Sequence, residues 1–371
     1  MHSMNDAQTE AVGIIFLRID SRAGFPTHLG KVMGKKSFLL AGIIFAGNFF
    51  AEAANPTLAE GVKVQSHNGW DHSLMMTASK SKARAVLAPA VGGRVIYYGL
   101  NDENILYEAP GSRGKTLQNS KTGFPAGGYQ CDLGPELGGV PEHLPLWLGP
   151  YGWRTPRAST VVLTSEPSRQ TGIQLEKEVV LDPESGELGI AQRMKNVSDK
   201  QTAYCLWDRT LCGGGGYAFF PLNSKSRFPS GWSIRRKQGD REVYDGTQPF
   251  SSSVKVIAGI LVAETKGQPA KIGADSDAEW IAYVRGKLLF VKYYPYFPKG
   301  HYSDGGNSVE VYWDERVAEL EPLSPEIKLE PGESYTFPEK WALFPLKEAV
   351  TSFEQAAALA GRVPASPFKV E

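Results

Sequence analysis

Two glutamates near the end of the chain stand two positions apart in a segment with the composition of a β-strand. The segment reads Val317-Ala318-Glu319-Leu320-Glu321. Because successive side chains of a strand point to opposite faces, Glu319 and Glu321 share one face, and Ala318 and Leu320 share the other. The apolar face can pack into a core, so the two carboxylates must meet water or a ligand. Which of the two they meet decides whether the carboxylates are functional.

A second group of candidates lies in the glycine-, proline- and aromatic-rich stretch from residue 127 to residue 153. His143, Trp147 and Trp153 are its candidate ligand-binding residues. Aromatic rings stack on the flat faces of sugars, and nearby polar side chains bind hydroxyl groups. A loop that packs over the end of a β-sandwich would use the same residues, and this alternative is equally compatible with the sequence.

Polar residues at two further places could take part in the same chemistry. Asp208 and Arg209 directly follow Trp207, and the three are candidate site residues. A structural ion pair between Asp208 and Arg209 is the alternative. Arg94 follows two glycines that allow a tight bend. It either binds a ligand or is solvated.

The turn-rich segment 293–305 adds His301 and Tyr302 as residues that could line a pocket. None of the histidines shows the spacing of metal ligands on a helix, so we expect no metal and no other cofactor. Binding of Ca²⁺ through oxygen ligands is left open.

The elements that must position these residues are almost all strands. Short runs rich in Val, Ile, Leu and Tyr recur between turn signals from residue 62 onward. The predicted strands cover residues 85–89, 94–98, 105–108, 159–164, 172–181, 188–194, 203–208, 254–263, 280–284, 287–293 and 309–313. Residues 182–186 read Asp-Pro-Glu-Ser-Gly and predict the turn of a hairpin between two of the longest strands.

So many strands without βαβ alternation predict an all-β chain. We expect a large antiparallel β-sandwich over residues 62–345, followed by a short C-terminal helix and tail over residues 346–371. The helix itself is predicted at residues 346–360, with Gly361 as its stop. The loop-rich segments 110–157 and 212–250 are long enough to suggest a functional role.

The first part of the chain predicts export. Lys35 and Lys36 precede an apolar run over residues 37–50, which is too short to span a membrane, and Ala-Glu-Ala at residues 51–53 has the form of a cleavage site. We therefore predict a signal peptide at residues 33–54 and a periplasmic or secreted protein that leaves the membrane after cleavage. Residues 1–32 are predicted to be an over-extended N-terminus, with translation starting at Met33.

The composition limits the partners and the redox chemistry. The 371 residues hold 40 basic and 40 acidic side chains, without a long basic run, so nucleic acid is not an expected partner. Three cysteines form no metal-binding pattern. We expect structural thiols, with a disulfide between Cys205 and Cys212 as the alternative. The oligomeric state is left open.

Taken together, these segments resemble the galactose mutarotase-like superfamily, which contains the aldose 1-epimerases. The resemblance rests on PAVGGRVIYYGL…NILYE near the start, on NVSDKQTAYCLWDRT, and on the closing EVYWDERVAELEPLSPEIKLEPGESYTFPEKWAL. It covers about residues 65–345, and the closing stretch is its most specific part. It implies a large antiparallel sandwich that binds a sugar on a concave face, on a divergent branch of the superfamily.

The resemblance also implies roles for particular residues. Glu321, which precedes Leu-Glu-Pro-Gly-Glu at residues 329–333, matches the family's general base, and Glu319 is the alternate. The family's acid histidine beside an aromatic pair is replaced here by Leu-Trp-Asp-Arg. Ring opening needs an acid as well as a base. Asp208 could supply the acid if burial raised its pKa, and His143 or His301 could substitute from a loop.

Three functions follow as hypotheses. The first is a secreted carbohydrate-binding protein of the aldose 1-epimerase type that interconverts sugar anomers by acid/base ring opening. The second is a non-catalytic carbohydrate-binding protein on the same fold. The third, a glycoside hydrolase or lyase, is disfavoured because two side chains on one face of one strand rarely flank a substrate from both sides.

Overall fold

The computed structural model describes residues 58–120 and 122–368. The predicted over-extended N-terminus, residues 1–32, and the predicted signal peptide, residues 33–54, lie outside the described residues and stay predictions. Within residues 58–120 and 122–368, no helix is long and apolar enough to cross a membrane.

Strands dominate the described part of the chain. The strands of the first half are β1 (Val62–His67), β2 (Trp70–Thr77), β3 (Ala83–Ala88), β4 (Arg94–Leu100), β5 (Glu103–Asn104), β6 (Tyr129–Gly134), β7 (Tyr151–Arg154), β8 (Thr160–Ser165), β9 (Ile173–Leu181) and β10 (Leu188–Asn196). Those of the second half are β11 (Thr202–Gly213), β12 (Tyr217–Pro221), β13 (Ser233–Gln238), β14 (Arg241–Asp245), β15 (Val254–Ile257), β16 (Ile260–Glu264), β17 (Ala270–Ala274), β18 (Trp280–Arg285), β19 (Leu288–Tyr293), β20 (Val309–Trp313), β21 (Val317–Pro322), β22 (Ile327–Leu329) and β23 (Ser334–Pro345).

Helices are few and short. The α-helices are α1 (Leu117–Ser120), α2 (Leu144–Leu148) and α3 (Phe353–Ala358), and 3₁₀ turns occupy Pro110–Ser112, Asp304–Gly306 and Leu359–Arg362.

The strands form two antiparallel sheets that pack face to face. In the described residues, the larger sheet has thirteen strands, with the main order β1-β2-β3-β4-β6-β11-β21-β20-β17-β13-β14. The smaller sheet has ten strands in the order β15-β16-β12-β18-β19-β23-β10-β9-β8-β7. Since β6, β11, β21, β20 and β17 come from distant parts of the chain but lie side by side, their side chains can build one common surface.

The core lies between the two sheets and follows from the alternation of side chains. In β9 and β10 every second residue is buried for the length of the hairpin. Leu74 and Leu320 of the larger sheet share one apolar cluster with Leu163, Phe290 and Trp341 of the smaller sheet. Burial of such side chains contributes about 25 cal/mol per Å² of apolar surface. The other face of the larger sheet is therefore free to carry polar residues.

The predicted hairpin over residues 182–186 is present, and its chemistry explains it. Leu181 pairs with Leu188 across the turn. The Asp182 carboxylate accepts hydrogen bonds from the backbone N–H groups of Glu184 and Ser185, both at 2.8 Å. Gly186 takes a positive φ of 76°, which a glycine adopts without strain.

Two predicted strands differ in the structure. Residues 105–108 form only isolated bridges, Leu106 with Cys212 and Glu108 with Gly127, and not a strand. Residues 254–263 form two strands, β15 and β16, because Ala258 and Gly259 take positive φ values and reverse the chain.

The predicted C-terminal helix is present but shorter than expected. It begins at Phe353 because the Ser352 hydroxyl caps it, accepting a hydrogen bond from the Gln355 N–H at 3.2 Å. Before it, the Leu346 N–H donates to the backbone of Lys287, which holds that stretch extended along the sheet.

Candidate functional site

One strand presents two carboxylates on the face of the larger sheet that points away from the core. In β21, Ala318 and Leu320 join the core between the sheets, and Glu319 and Glu321 lie on the opposite face. Neighbouring strands add polar side chains to that face, which we call the polar face. Its residues are Gln130, Asp132, Trp207, Arg209, Lys271, Glu310, Glu319 and Glu321.

One half of the polar face is organised by Arg209. Its guanidinium donates from Nε and Nη2 to Glu319 Oε2, at 3.0 and 2.9 Å, and from Nη1 to Asp132 Oδ2 at 3.2 Å. The side chain of Arg209 is 27% exposed, whereas those of Asp132 and Glu319 are 4% and 8% exposed. Burial alone would lower the pKa of Arg209, but Glu319 and Asp132 raise it above its ordinary value. The guanidinium therefore stays charged and within reach of solvent.

The other half is organised by Lys271, which is almost fully buried. Its Nζ lies 2.6 Å from Glu321 Oε2, 2.9 Å from Glu136 Oε2 and 3.2 Å from Glu310 Oε2. Trp207 Nε1 donates to the same Glu321 oxygen at 2.6 Å. The second oxygen, Glu321 Oε1, is buried and has no hydrogen-bond partner among the described residues.

Burial shifts the acidity of these carboxyls upward. Burial raises the pKa of Glu321 from 4.5 to about 8, although Lys271 opposes the shift, and the neighbouring Glu319 and Glu310 add to it. The same cause raises the pKa of Glu310 to about 7. Burial would also raise the pKa of Glu136, but Lys271 and Arg235 hold it below its ordinary value. Two carboxyls of this group thus titrate near neutral pH.

Arg94 connects the residues at one edge of the polar face. It is 1% exposed and donates to the Gly127 carbonyl at 2.8 Å, to the Gln130 side chain and to the Trp147 carbonyl at 3.1 Å. Burial lowers its pKa to about 10. The interpretation of Arg94 as a solvated side chain is therefore wrong, because the loop that contains Trp147 covers it.

A glycine permits this close approach. A Cβ at Gly92 would lie 2.1 Å from the Trp147 carbonyl oxygen, so only glycine fits there. Gln130, whose side-chain oxygen accepts from Arg94, in turn donates from its side-chain nitrogen to Asp132 Oδ2 at 2.7 Å. Asp132 Oδ1 is buried and without a hydrogen-bond partner in the described chain. An unpartnered carboxylate oxygen beside a partly exposed arginine is suited to accept a hydrogen bond from a ligand.

The two loop candidates His143 and Trp147 lie near this edge. His143 Nε2 accepts from the backbone N–H of Leu133, next to Asp132, at 3.4 Å. The Trp147 ring lies 5.9 Å from the guanidinium carbon of Arg94. Trp153 is not brought to the site: it belongs to β7 at the edge of the smaller sheet, where it packs against the core. Plain packing accounts for Trp153.

Asp208 lies on the wrong side of the sheet for the role of acid predicted for it. As a neighbour of Arg209 in β11, it points the opposite way, into the core between the sheets. There it lies 2.5 Å from Lys292 Nζ and accepts from the Thr210 hydroxyl at 2.8 Å. The alternative of an ion pair between Asp208 and Arg209 is also wrong, for the same geometric reason.

His301 and Tyr302 do not reach the polar face through any contact in the described residues. His301 is exposed on its loop. The Tyr302 hydroxyl accepts from the Phe297 N–H at 3.0 Å, and its ring stacks on Tyr296 with centroids 5.7 Å apart. Tyr302 therefore stabilises its own loop.

Five residues of the site were missed: Gln130, Asp132, Glu136, Lys271 and Glu310. A signal was present for two of them. Glu310 and Lys271 are single charges inside otherwise apolar short strands, in Val-Glu-Val and Ala-Lys-Ile. A lone charge in such a strand must find a partner.

An open cleft of about 580 Å³ adjoins the polar face at the hairpin of β13 and β14. Its walls include Glu136, Gly138, Arg235, Arg241 and Glu242. Arg235 Nη1 lies 2.5 Å from Glu136 Oε1, and Glu136 in turn contacts Lys271, so the cleft and the polar face are joined by direct contacts.

The expectations about cysteines and metals concern other parts of the structure. All three cysteines are buried and free, so the alternative of a Cys205–Cys212 disulfide is wrong. Cys205 and Cys212 both lie on β11, too far apart along one extended strand to form a disulfide. In residues 58–120 and 122–368, no group of three or more His, Cys, Asp or Glu side chains is arranged to hold a metal ion.

Comparison with known proteins adds a family and a fold. A family model described as a domain of unknown function (DUF4380) matches residues 154–344, more than half of the chain. No match was found among curated proteins.

Several solved structures are similar. A structure from Escherichia coli K12, whose name assigns it provisionally to the aldose 1-epimerases, is 11% identical to this chain, with a TM-score of 0.54. The match covers 73% of this chain and 100% of that one. A galactose mutarotase-like protein from Lactobacillus casei is 13% identical, with a TM-score of 0.52 and the same coverage. A TPR-domain containing protein from Parabacteroides distasonis is 12% identical, with a TM-score of 0.50 over 74% of this chain and 48% of that one. At these identities the likeness shows the fold alone, and it confirms both the predicted all-β sandwich and the resemblance to the galactose mutarotase-like superfamily.

Proposed function

The chain belongs to the DUF4380 family, and we propose that it is a carbohydrate-binding protein whose polar face holds a sugar. The observation that carries this proposal is the Asp132–Arg209–Glu319 group. It combines an arginine whose side chain is 27% exposed with two almost buried carboxylates, one of which has an unpartnered oxygen. A sugar hydroxyl both donates and accepts, so it can bond such a carboxylate and such a guanidinium together.

Trp207 adds an apolar surface to this polar group. Its ring lies 4.9 Å from the guanidinium carbon of Arg209 and 4.7 Å from Lys271 Nζ. Flanking cations fix the orientation of the ring, and its indole N–H is already held by Glu321. A rigid ring beside fixed hydrogen-bonding groups is a common arrangement in ligand sites.

Interconversion of sugar anomers is a second candidate function, favoured by Glu321. A carboxyl with a pKa of about 8 would have the strength of a general base near neutral pH, and its Oε1 is uncommitted. Glu321 is fully buried, however, and Asp208, the acid that the sequence suggested, faces the other side of the sheet. Binding is therefore the function that this geometry supports best.

One pair of measurements tests both functions. Calorimetric titration with glucose, galactose and a panel of oligosaccharides measures binding, and proton NMR of freshly dissolved α-glucose and α-galactose measures anomer equilibration. If the protein is a mutarotase, acceleration is seen with the wild type and disappears with Glu321→Gln. The exposed Glu348 provides the matched control, because Glu348→Gln should leave the rate unchanged.

The outcomes separate the two functions. Binding without acceleration supports a non-catalytic sugar-binding protein. Acceleration that survives Glu321→Gln but not Glu319→Gln transfers the role of base to Glu319. If no sugar binds and no sugar equilibrates faster, the proposal of a carbohydrate-binding protein is wrong.

We also propose that the protein acts outside the cytoplasm. The support is the signal-like sequence at residues 33–54. Expression of the full chain in a Gram-negative host, followed by fractionation and N-terminal sequencing, tests this. Recovery of a periplasmic form that begins close to residue 54 is expected, and a cytoplasmic form that keeps residues 33–54 would contradict it.

A further inference from the structure

We propose that the open cleft beside β13 and β14 binds a sugar acid, whose carboxylate takes the place of the chain's own Glu136 carboxylate. This inference rests on the proposed sugar-binding function and names its substrate class. Three observations carry it: the donors that converge on the Glu136 carboxylate, the fixed backbone behind that side chain, and the open space in front of it.

Donors from three different strands converge on the Glu136 carboxylate. Arg235 Nη1 lies 2.5 Å from Glu136 Oε1. Lys271 Nζ and the Tyr244 hydroxyl lie 2.9 and 3.0 Å from Glu136 Oε2. Arg235 and Tyr244 are directly paired across the hairpin of β13 and β14, so their side chains share one face. Two cations and a hydroxyl that hold both oxygens of one carboxylate are suited to hold the carboxylate of a ligand in the same way.

These donors favour an ionised carboxylate over a neutral group. Burial would raise the pKa of Glu136, but Lys271 and Arg235 hold it below its ordinary value. Burial would likewise lower the pKa of Lys271, but the neighbouring carboxyls raise it above its ordinary value, so the ammonium stays charged. Two of those carboxyls, Glu321 and Glu310, have pKa values of about 8 and about 7, so near neutral pH they offset the ammonium only in part. The position of the Glu136 carboxylate therefore selects an anion.

The backbone of Glu136 is fixed independently of its side chain. The Asp304 carboxylate accepts from the backbone N–H groups of Glu136 and Leu137, at 2.7 and 2.9 Å. The Glu136 side chain itself is 15% exposed and lines the cleft. A ligand therefore has to displace one side chain by rotation into the cleft, and the segment that carries it can stay in place.

The cleft has room for the sugar ring of such a ligand. Its volume of about 580 Å³ falls within the range of about 300–1,000 Å³ that is typical of small-molecule sites. A Cβ added at Gly138 would meet nothing within 4 Å among the described residues, so the space beside Glu136 is open. Glu242, which is 40% exposed and contacts Arg235, offers an acceptor to a sugar hydroxyl. A ligand enters from the solvent side of Glu136 and does not have to cross the buried side chains of the polar face.

Occupation of the subsite by Glu136 has a measurable consequence. A carboxylate of the same chain competes with the ligand, so the apparent affinity falls with the fraction of molecules in which Glu136 has left the donors. Removal of the Glu136 charge should therefore tighten the binding of a sugar acid, whereas loss of an ordinary binding residue weakens it. The affinity for a neutral sugar should not gain in this way.

The test is calorimetric titration of the protein with matched acidic and neutral sugars. The probes are glucuronate with glucose, galacturonate with galactose, and glucuronamide, which has the shape of glucuronate without its charge. Glu136→Gln keeps the shape of the side chain and removes the competing charge. It is expected to bind at least one of the two acids about tenfold or more tightly than the wild type does. Glu142→Gln, at an exposed position of the same loop, is the matched control and should bind like the wild type.

Two further variants locate the gain and guard against misfolding. Arg235→Gln, added to Glu136→Gln, should weaken acid binding by at least about fivefold, since it removes one of the two cations. Arg236→Gln in the same background is its control, because Arg236 lies on the other face of β13, where it pairs with Asp245 at 3.3 Å. If Glu136→Gln does not fold, Glu136→Asp retains the charge on a side chain one methylene shorter, and it should also bind the acid more tightly than the wild type.

The outcomes distinguish failure of this inference from failure of the proposed function. If the neutral sugars bind as tightly as the acids, or if Glu136→Gln tightens acid binding no more than Glu142→Gln does, the carboxylate subsite is wrong but sugar binding stands. If no probe binds to the wild type or to any variant, the proposed function itself is wrong, and this inference is wrong with it.

Discussion

Two buried clusters lie against the larger sheet, one on each of its faces, and share the same chemistry but differ in their surroundings. In the core cluster, Lys292 lies between Asp208, at 2.5 Å, and Glu339, at 3.3 Å, and all three side chains are fully buried. On the polar face, Lys271 lies between Glu321, Glu310 and Glu136. Each cluster is a single ammonium shared by more than one carboxylate.

The difference between the clusters lies in access. The core cluster is closed off by the second sheet, where Gln192 and Trp341 donate to the Glu339 carboxylate at 3.1 and 2.8 Å. The polar-face cluster borders on Glu136, which is 15% exposed, and on the open cleft.

Burial and a raised pKa are therefore poor markers of a site when they are considered alone. Burial raises the pKa of Asp208 well above its ordinary value, as it does for Glu321, although only the Glu321 cluster adjoins partly exposed side chains. Structural ion pairs perturb pKa values as much as functional ones do. What separates the two clusters is the proximity of partly exposed side chains such as Arg209.

The largest expected effect comes from removing the lysine of the core cluster. Lys292→Met leaves Asp208 and Glu339 buried without their cation, which should lower the free energy of unfolding by about 3–5 kcal/mol. Lys271→Met should cost less, since Glu136 can turn to solvent. Urea unfolding measures both, with Lys287→Met, an exposed lysine, as the control. An equal or larger loss for Lys271→Met would overturn the comparison.

The pH dependence of stability should come from the polar face. The pKa of Glu321 is about 8 in the folded protein against an ordinary 4.5, so the folded state binds the extra proton. Its stabilising contribution is complete below pH 4.5 and is lost as the pH rises through about 8. Between pH 5 and pH 8, the free energy of unfolding of the wild type should therefore fall more steeply than that of Glu321→Gln.

The size of this difference can be bounded and controlled. A slope difference that sums to roughly 1–3 kcal/mol over this range is expected, since Glu310 shares the proton with Glu321. Urea unfolding at pH 5, 6.5 and 8 measures it. Glu348→Gln, at an exposed position, should keep the slope of the wild type. Parallel slopes for the wild type and Glu321→Gln would show that Glu321 is ionised throughout.

A smaller effect on stability, but a clear one on ligand binding, is expected for Arg209→Lys. The substitution keeps the charge between Asp132 and Glu319 but loses the forked geometry that engages both. Affinity for the sugars found to bind should fall about tenfold, and the free energy of unfolding should change by less than about 1 kcal/mol. Arg193→Lys, at a 52% exposed arginine of the smaller sheet, is the control. Unchanged affinity would place the ligand elsewhere.

The sequence was sufficient for whatever depends on alternation along one strand. It predicted the sandwich, the hairpin after β9 and the shared face of Glu319 and Glu321, because each follows from neighbouring residues. Applied to β11, the same rule would also have separated Asp208 from Arg209, since adjacent residues of a strand cannot share a face. The possible ion pair between them was an error of interpretation and not a missing signal.

What the sequence could not supply is the order of the strands. Lys271 reaches Glu321 because β17, β20 and β21 lie side by side, and nothing in either segment specifies that order. The same limit explains Trp153, which has the composition of a site residue but belongs to the other sheet. Long-range pairing is fixed by the packing of the whole core, so a candidate site assembled from several strands has to be read from the structure.

The smallest expected effect concerns the two cysteines of β11, which again lie on the two faces of the larger sheet. Cys205 packs with Trp207 on the outer side and Cys212 with the core. Seven residues of extended strand separate their Cα atoms by roughly 23 Å, whereas a disulfide requires less than about 7 Å. Dithiothreitol should therefore leave the melting temperature unchanged, and the purified protein, unfolded without reductant, should react with three equivalents of a thiol reagent. A single reactive thiol under these conditions would mean that two cysteines are paired and that the arrangement of β11 described above is wrong.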